Sequence, residues 1–387
     1  MMLPNGWKKS KIGETCSLLS GQDFHPNLYG NEEKGLPYIT RASNFAGNHI
    51  VLNRWTEHPK NIAKKGDILL VCKGSGFGIT AIADFEKAHI ARQVMALQKL
   101  NGVDRDFLYQ VISMNVRNIK QKGCGLIPGI DRKTVLNIEY LLPPLDEQKK
   151  IAATLLVWDS AIEKMEKLIE AKESLLTEYG KELFGRTEEK ENENWSTIAL
   201  SNVLNEHGNK STGKEEVFSV SVHKGLVNQI EHLGRSFAAK DTSNYNCVHY
   251  GDIVYTKSPT GDFPLGIVKQ SLVKEDVVVS PLYGVFTPQT FELGVILDFY
   301  FSSPINANNY LRPVAQKGAK NTINITNKKF LSAKLRLPID VKEQKKIAQF
   351  VQTTKKEMAV LQDILENYKK QKQGLMQKLL TGQWRVK

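Results

Sequence analysis

Polar side chains suited to contacts with nucleic acid collect beside glycines in two β-rich stretches of the 387-residue chain. Arg, Asn and Gln can make paired hydrogen bonds to base edges, whereas Lys, Ser and Thr suit phosphates. The candidate residues are Arg41, Asn44, Lys73, Ser75, Arg92, Gln93 and Lys122 in the first stretch, and Lys257, Ser258, Thr260, Lys317, Lys320 and Asn321 in the second. Any one of them alone is typical of an exposed turn, but as a set they predict two DNA-binding surfaces.

The sequence contains none of the catalytic motifs that we sought. It has no GxxxxGK[ST] phosphate loop, and the glycines of Gly74–Gly78 stand between two strands, as in a β-turn rather than a dinucleotide loop. The eight histidines form no HExxH motif, and His249 beside Cys247 reads as an isolated pair. We therefore expect no metal, no cofactor and no catalytic activity in this chain.

The six-residue sequence EQKKIA occurs twice, at Glu147–Ala152 and at Glu343–Ala348, 196 residues apart. Each copy follows a Leu-Pro pair and precedes a long run with regularly spaced apolar residues. Ahead of each copy, at 66–84 and at 251–270, a Gly-Asp pair opens a β-branched run with a Gly-containing turn. The chain is therefore predicted to be an internal duplication of a β-rich segment followed by a long helix.

Apolar residues at steps of three and four keep a single stripe on one helix face, which is the pattern of a coiled coil or a two-helix seam. The predicted seam residues are Ile151, Leu155, Ile162, Met165, Ile347, Val351, Met358, Leu361 and Leu365. A helix from Glu147 to Phe184 would be about 55 Å long. This length suits a spacer, and the two helices can serve as each other's partner.

Helix-capping residues mark the limits of both runs. Asp146 and Asp340 are suitable N-cap residues, and glycines at 185 and 382 suit the helix ends. Gly180 and Gly374 lie inside the runs and predict fraying or a bend near each C-terminal end.

Tryptophans recur near the edges of the two halves. Trp7 corresponds to Trp195, and Trp384 follows the second helix as Trp195 follows the first. This spacing predicts a circular arrangement of two half-units in which the chain ends lie close together.

Composition narrows the class of protein. Fifty-three Lys and Arg residues against 41 Asp and Glu residues give a net charge of +12, which favours a polyanionic partner. No signal peptide and no 18-residue apolar run is present, so we expect a soluble cytoplasmic protein without a membrane partner. Four widely separated cysteines are expected to be buried and reduced.

The sequences LPPLDEQKKIAATL and LPIDVKEQKKIAQF, each preceded by KGDILL or YGDIVY and a turn, resemble the specificity subunits of type I restriction-modification systems, the HsdS family. The resemblance covers essentially the whole chain. It implies an α+β fold in which two β-rich target recognition domains are joined by two long antiparallel helices. The helices would form a coiled-coil-like spacer within a pseudo-twofold internal repeat.

On this resemblance, the chain divides into five parts. The first target recognition domain would span residues 1–142 and the first spacer helix 143–185. A linker would occupy 186–194, the second target recognition domain 195–337, and the second spacer helix with the C-terminal tail 338–387.

The resemblance implies a non-catalytic subunit that reads the two halves of a bipartite target in double-stranded DNA. The implied protein partners are two methyltransferase (modification) subunits and the translocase-nuclease (restriction) subunits. The family shares no motif for base-reading residues, so the candidates above depend on residue type and position. Two alternatives remain open: a self-contained DNA-modifying enzyme, and a structural adaptor that binds proteins.

Overall fold

The computed structural model describes residues 3–47, 49–74, 76–121, 129–185, 194–230, 241–317 and 323–386. The chain forms two compact units. Unit 1 comprises Met1–Leu168 and Leu361–Lys387, and unit 2 comprises Ile169–Val360. Each unit therefore contains one β-rich part and a portion of each of two long helices.

The strands and helices of the first part of the chain belong to unit 1, except for the end of α4. The strands are β1 (Lys8–Lys11), β2 (Ser17–Ser20), β3 (Leu36–Ile39), β4 (Phe45–Ala46), β5 (His49–Ile50), β6 (Trp55–Thr56), β7 (Ile62–Lys64), β8 (Ile68–Val71), β9 (Thr80–Ile82), β10 (Lys87–Ile90), β11 (Val94–Gln98) and β12 (Glu139–Leu142). The helices are α1 (Ile12–Thr15), α2 (Arg105–Gln121), α3 (Arg132–Leu136) and α4 (Leu145–Phe184).

The central sheet of unit 1 has the strand order β2–β11–β8–β9, and all neighbours are antiparallel. A second sheet has the order β6–β3–β10–β7, while β1 pairs with β12 and β4 with β5. Strand β8 reads Ile-Leu-Leu-Val and is buried along its whole length, which explains its uninterrupted apolar sequence. Its residue Leu70 packs in one core with Phe107 of α2, and Ile151 and Leu155 of α4 join the same core.

The remaining elements begin in unit 2, and the last helix ends in unit 1. The strands are β13 (Trp195–Ala199), β14 (Leu204–Glu206), β15 (Phe218–Ser221), β16 (Gly225–Asn228), β17 (Asn246–Val248), β18 (Ile253–Thr256), β19 (Ile267–Gln270), β20 (Val277–Val279), β21 (Gly284–Pro288), β22 (Gln316–Lys317), β23 (Ile323–Asn324) and β24 (Lys334–Pro338). The helices are α5 (Phe291–Phe301), α6 (Pro304–Leu311), α7 (Asn327–Ser332) and α8 (Val341–Leu380).

Unit 2 repeats the main sheet and one strand pair of unit 1. Its main sheet has the order β14–β21–β18–β19, in which each strand takes the place of its counterpart in β2–β11–β8–β9. The pair β13–β24 likewise matches β1–β12. Tyr255 and Phe330 stack in the core with ring centroids 4.7 Å apart, and Ile347 and Val351 of α8 join that core. The predicted duplication and the α+β fold class are confirmed.

The long helices begin close to the predicted positions. Helix α8 starts after Asp340, whose carboxylate accepts the Glu343 amide at 2.8 Å, as an N-cap does. Helix α4 starts at Leu145, and the Pro144 carbonyl accepts the amides of Glu147 and Gln148. The prediction of Asp146 as N-cap was therefore wrong, since Asp146 lies inside the first turn, where its charge suits the helix dipole.

The two helices run antiparallel within each unit. In unit 1, Lys369 Nζ lies 2.9 Å from Glu166 Oε1, and Lys372 pairs with Asp159. In unit 2, Lys172 pairs with Glu357 at 2.6 Å, and the rings of Tyr179 and Phe350 lie 4.4 Å apart. Within each unit, contacts at higher residue numbers on α4 involve lower residue numbers on α8. The two helices are therefore antiparallel, as predicted.

Each predicted seam residue is buried or half-buried. Those that are buried are Ile151, Leu155, Ile347, Val351 and Leu365, and those that are half-buried are Ile162, Met165, Met358 and Leu361. The residues Ile151, Leu155, Ile347 and Val351 also anchor the helices in the cores of the β-rich parts. Their role in a single seam stays a prediction.

The glutamine of EQKKIA has the same structural role in both copies of the repeat. Gln148 is buried, donates to the Pro143 carbonyl at 2.8 Å, and accepts the amide of Asp104 at 2.7 Å. Gln344 is also buried; it donates to the Pro338 carbonyl at 2.9 Å and accepts from Thr290 Oγ1 at 2.7 Å. Asp104 caps α2, and Thr290 caps α5. Each glutamine thus connects the start of a long helix to the start of a domain helix.

The segments near the two chain ends meet in unit 1. Glu147 is buried and accepts the indole N–H of Trp7 at 2.9 Å and two hydrogen bonds from Arg385, at 2.5 and 2.8 Å. A Cβ at Gly382 would lie 2.6 Å from the Pro4 ring. The prediction that the ends lie close together is confirmed. Trp384 is 51% exposed, whereas Trp195 is buried, so the two tryptophans do not occupy equivalent surroundings.

Among the described residues, no helix has the length and apolar character needed to cross a membrane.

Candidate DNA-recognition surfaces

The Gly-rich turn of unit 1 joins β8 to β9 and lies beside the start of β11. The Cys72 amide donates to the Gln93 carbonyl at 2.8 Å, so the antiparallel pairing of β8 and β11 continues beyond the named strands. Lys73 and Arg92 are exposed next to this pair, and Gln93 is half-buried. The fold thus brings together three of the predicted DNA contacts.

A second loop packs against this turn. A Cβ at Gly76 would lie only 2.0 Å from the Cβ of Ala42 and would clash with it. Only glycine at position 76 therefore lets the loop that contains Ala42 pack this closely. Gly74 and Gly78 have φ values of +87° and +93°, a conformation that favours glycine. Arg41, the neighbour of Ala42, is exposed and therefore lies beside the same turn.

The cations of this surface have local partners. Arg92 Nε lies 2.6 Å from the carboxylate of Asp23, and both side chains are largely exposed. Arg41 Nε donates to Ser43 Oγ at 3.2 Å. Because an exposed ion pair contributes little free energy, a phosphate group can compete with Asp23 for Arg92.

Asn44 is not available to a ligand. Its side chain is fully buried, where Oδ1 accepts the amides of Thr40 and Arg41 and Nδ2 donates to the Val51 carbonyl and to Asn53. Through these hydrogen bonds the Asn44 side chain stabilises the loop that follows β3. The structure therefore contradicts the prediction of Asn44 as a DNA contact, because burial keeps it from any base.

The equivalent turn of unit 2, between β18 and β19, has a different form. Ser258 and Thr260 are exposed, and Thr260 exchanges backbone hydrogen bonds of 3.1 and 2.8 Å with the buried Phe263. Lys257 is half-buried, and this burial lowers the pKa of its ammonium group although the charge of Glu206 acts in the opposite direction. The second turn therefore differs in geometry from the first.

Five predicted contacts have no described side chain. Ser75, Lys122, Lys320 and Asn321 lie outside the described residues, and only the backbone of Lys317 is described, in β22.

Sequence reasoning missed two residues that shape the surface of unit 1. Asp23 holds both the backbone amide and the side chain of Arg92 across 69 positions of sequence. Ala42 sets the position of the loop against Gly76. Neither residue is marked by a local motif, because both contacts depend on tertiary packing.

Metal-ligating side chains come together at the other end of β18, at a distance from the turn. His207, His249 and Asp252 form one group, and Cys247, His249 and Asp276 form another. The sequence predicts that Cys247 and His249 form an isolated pair. This prediction is wrong, because each group adds further possible ligands.

Two main sheets of the same strand order and two long antiparallel helices define an internally duplicated α+β protein. Comparisons with known proteins show which family the chain resembles. Residues 4–173 match the type I restriction modification DNA specificity domain. Over its full length the chain is 25% identical to the type I restriction enzyme MjaVIII specificity subunit of Methanocaldococcus jannaschii, of which it covers 95%.

Solved structures show the same fold. The type I restriction-modification S subunit of M. genitalium is similar with a TM-score of 0.62 at 17% identity, over 98% of both chains. A chain from a study of the assembly and conformational transition of the type I system gives 0.52 at 15% identity, over 98% of this chain and 99% of the other. Over its whole length the present chain is therefore similar to specificity subunits of type I restriction-modification systems.

Proposed function

We propose that each unit reads one half of a split double-stranded DNA target through the turn of its main sheet. The observation that carries this proposal is the position of the turns: β8–β9 and β18–β19 occupy the same place in two sheets of identical order. Lys73 and Arg92 in unit 1, and Ser258 and Thr260 in unit 2, present exposed donors there. Because the turns differ in sequence and hydrogen bonding, the two half-sites differ and the target is asymmetric.

The helix pair serves as the spacer between the half-sites. Each long helix has 40 residues, which corresponds to about 60 Å at 1.5 Å per residue. The domain limits 1–142, 143–185, 186–194, 195–337 and 338–387 are retained in this proposal as functional divisions, with the readers before the helices. Each helix contributes to both compact units.

The helices also dock the protein partners, two modification subunits and the restriction subunits. Large apolar side chains are exposed along them: Val157 and Leu168 in unit 1, and Leu175 and Val360 in unit 2. Large apolar side chains that together form an exposed patch are typical of protein interfaces. The occurrence of such residues in each unit supports one modification subunit for each unit.

DNA binding by the complex assembled with modification subunits tests the recognition surfaces. We expect Lys73→Ala and Arg92→Ala each to weaken binding of the target duplex and to reduce the slope of log K against log salt by about 0.9 for each phosphate group that is no longer neutralised. Lys65→Ala is the matched control, since Lys65 is an ion-paired, exposed cation of unit 1 that lies outside the β8–β9 turn. Slopes that equal the control would remove these residues from the interface.

Methylome sequencing of cells with and without the gene tests the function itself. We expect a split motif, methylated on adenine, that disappears when the gene is deleted. A methylation pattern that is unchanged on deletion would contradict the proposal.

A further inference from the structure

One end of the β17–β20 ladder in unit 2 collects three different metal-ligating side chains. Cys247 lies in β17 and His249 follows the last residue of that strand, and their ligand atoms lie within 4.8 Å of each other. Strand β17 pairs with β20 so that Val248 lies opposite Val277, and the next position along places His249 opposite Asp276. The pairing of the strands thus assembles a thiol, an imidazole and a carboxylate from sequence positions 29 apart.

The three side chains are close enough to share one ion. Cys247 Sγ, a ring nitrogen of His249 and a carboxylate oxygen of Asp276 all lie within 4.8 Å of one another. His249 Nδ1 is 2.7 Å from Asp276 Oδ1. Two ligand atoms on a tetrahedral zinc ion stand about 3.3–3.5 Å apart, given bonds of about 2.0 Å to nitrogen or oxygen and about 2.3 Å to sulfur, so the side chains need only small movements. Cys247 is buried, while the Asp276 side chain is 58% exposed, which leaves a path for the ion.

The neighbouring group of His207, His249 and Asp252 is less suited to an ion. Asp252 is buried, and its Oδ2 accepts the His249 amide at 2.8 Å and His207 Nε2 at 2.9 Å. Its Oδ1 accepts from Thr287 Oγ1 at 2.8 Å. An ion that took this carboxylate would break bonds that hold the backbone of His249 in place, so Asp252 acts as a support for the first group.

The second ring nitrogen of His249 also has a partner. Nε2 lies 3.0 Å from the side-chain amide of Asn209, whose backbone carbonyl accepts the Cys247 amide at 3.0 Å. With the amide oxygen of Asn209 turned toward the ring, Nε2–H would donate to it and Nδ1 would carry the free lone pair. Outer partners of this kind orient metal-ligating histidines.

We propose that Cys247, His249 and Asp276 bind a divalent cation of the zinc class, with solvent in the fourth position. Mixed sulfur, nitrogen and oxygen ligands suit Zn²⁺ and Co²⁺ and do not suit Mg²⁺ or Ca²⁺. Binding takes the thiolate, so the thiol proton is released to solvent. The ion joins the ends of β17 and β20, and its role is structural and independent of the proposed DNA reading.

The test is metal titration of the full chain, freed of any affinity tag and stripped with a chelator. We expect one equivalent of Zn²⁺ to bind and the thermal midpoint of unfolding to rise. Co²⁺ should give the near-ultraviolet absorption of a cobalt–thiolate bond. Cys247→Ser should abolish that absorption, and Asp276→Asn should weaken Zn²⁺ binding at least tenfold while the exposed position leaves the fold intact.

Two control variants make the outcome specific. His207→Gln removes a ligand of the neighbouring group alone and should leave the Zn²⁺ affinity within threefold of the unchanged chain. Cys72→Ser removes another buried thiol and should leave the cobalt spectrum unchanged. The proposal fails if no saturable binding occurs, if Asp276→Asn binds as tightly as the unchanged chain, or if His207→Gln abolishes binding.

Discussion

Gln148 and Gln344 hold equivalent positions in the two units, and each is buried with hydrogen bonds at both ends of its amide. A side chain that serves two buried partners is costly to remove, because both partners lose a hydrogen bond that water does not replace. This demand explains why glutamine occupies a buried polar position in both copies of EQKKIA, whereas the two lysines that follow it are exposed.

We expect Gln148→Ala and Gln344→Ala each to lower the free energy of unfolding by about 1–3 kcal/mol. Urea unfolding followed by circular dichroism measures the change. Gln362→Ala, an exposed position on α8, is the control and should change the stability by less than about 0.5 kcal/mol. Equal effects at all three positions would show that the buried amides do not connect the helix starts.

Glu147 gives the stability of unit 1 a dependence on pH. Burial raises the pKa of this carboxyl group, but hydrogen bonds from Arg385 and Trp7 outweigh burial and leave the pKa below its ordinary value. A lowered pKa in the folded state stabilises the protein above the unfolded-state pKa of about 4.3, and this contribution is lost as the pH falls through the folded-state value.

Glu147→Gln therefore should cost about 1–2 kcal/mol at pH 7, and the difference from the unchanged chain should shrink below about pH 4. Urea unfolding of both proteins at pH 7 and at pH 3 gives the comparison. Glu343→Gln, at the equivalent position of α8, where Glu343 is only half-buried, provides the control. A difference at Glu147 that is independent of pH would contradict the ionic role.

Among the elements, the long helices continue through the glycines that predicted fraying or a bend, since α4 extends to Phe184 and α8 to Leu380. The two glycines differ in surroundings. A Cβ at Gly180 would lie 3.2 Å from the ring of Phe299, whereas a Cβ at Gly374 meets nothing within 4 Å. Gly180 therefore has a packing role that Gly374 lacks.

Gly374→Ala should stabilise the protein by about 0.5–1 kcal/mol, because alanine restricts the unfolded chain and favours the helix. Gly180→Ala should raise the stability less than Gly374→Ala does, or lower it, because the methyl group of the new alanine would press against the ring of Phe299. Thermal unfolding of the two variants side by side makes each the control for the other. An equal gain at both sites would show that the Phe299 contact yields without cost.

The spacer proposal is tested at the same scale. Four residues inserted after Glu170 and four after Val360 lengthen both helices by about 6 Å and turn their faces by only about 40°. The permitted distance between half-sites should increase by one or two base pairs, given about 3.4 Å per base pair. Methylome sequencing reads out the new motif, and an insertion of equal length in the linker 186–194 is the control. An unchanged motif would contradict the ruler role.

At the scale of the whole molecule, the sequence predicted what periodicity and repetition encode. The duplication, the α+β class and both long helices followed from EQKKIA and from the apolar stripe of Ile151, Leu155 and their counterparts. Contacts that depend on tertiary packing did not follow. Asn44 was predicted to contact a base, but it is buried. Asp276 lies opposite His249 because strands β17 and β20 pair, which the sequence did not indicate.

The contacts of Trp7, Glu147 and Arg385 predict that the order of the two halves along the chain is dispensable. A circular permutant that joins the two chain ends through a short Gly-Ser link and opens at Glu191, outside the described residues, keeps these contacts and both units. We expect its free energy of unfolding to lie within about 1 kcal/mol of the parent's and, with modification subunits, we expect it to methylate the same motif. A permutant opened after Leu155, within the core of unit 1, is the control and should not fold, because it breaks α4 where it is buried. Failure of the Glu191 permutant to fold would show that chain continuity between the halves, and not the contact of the ends, holds the repeat together.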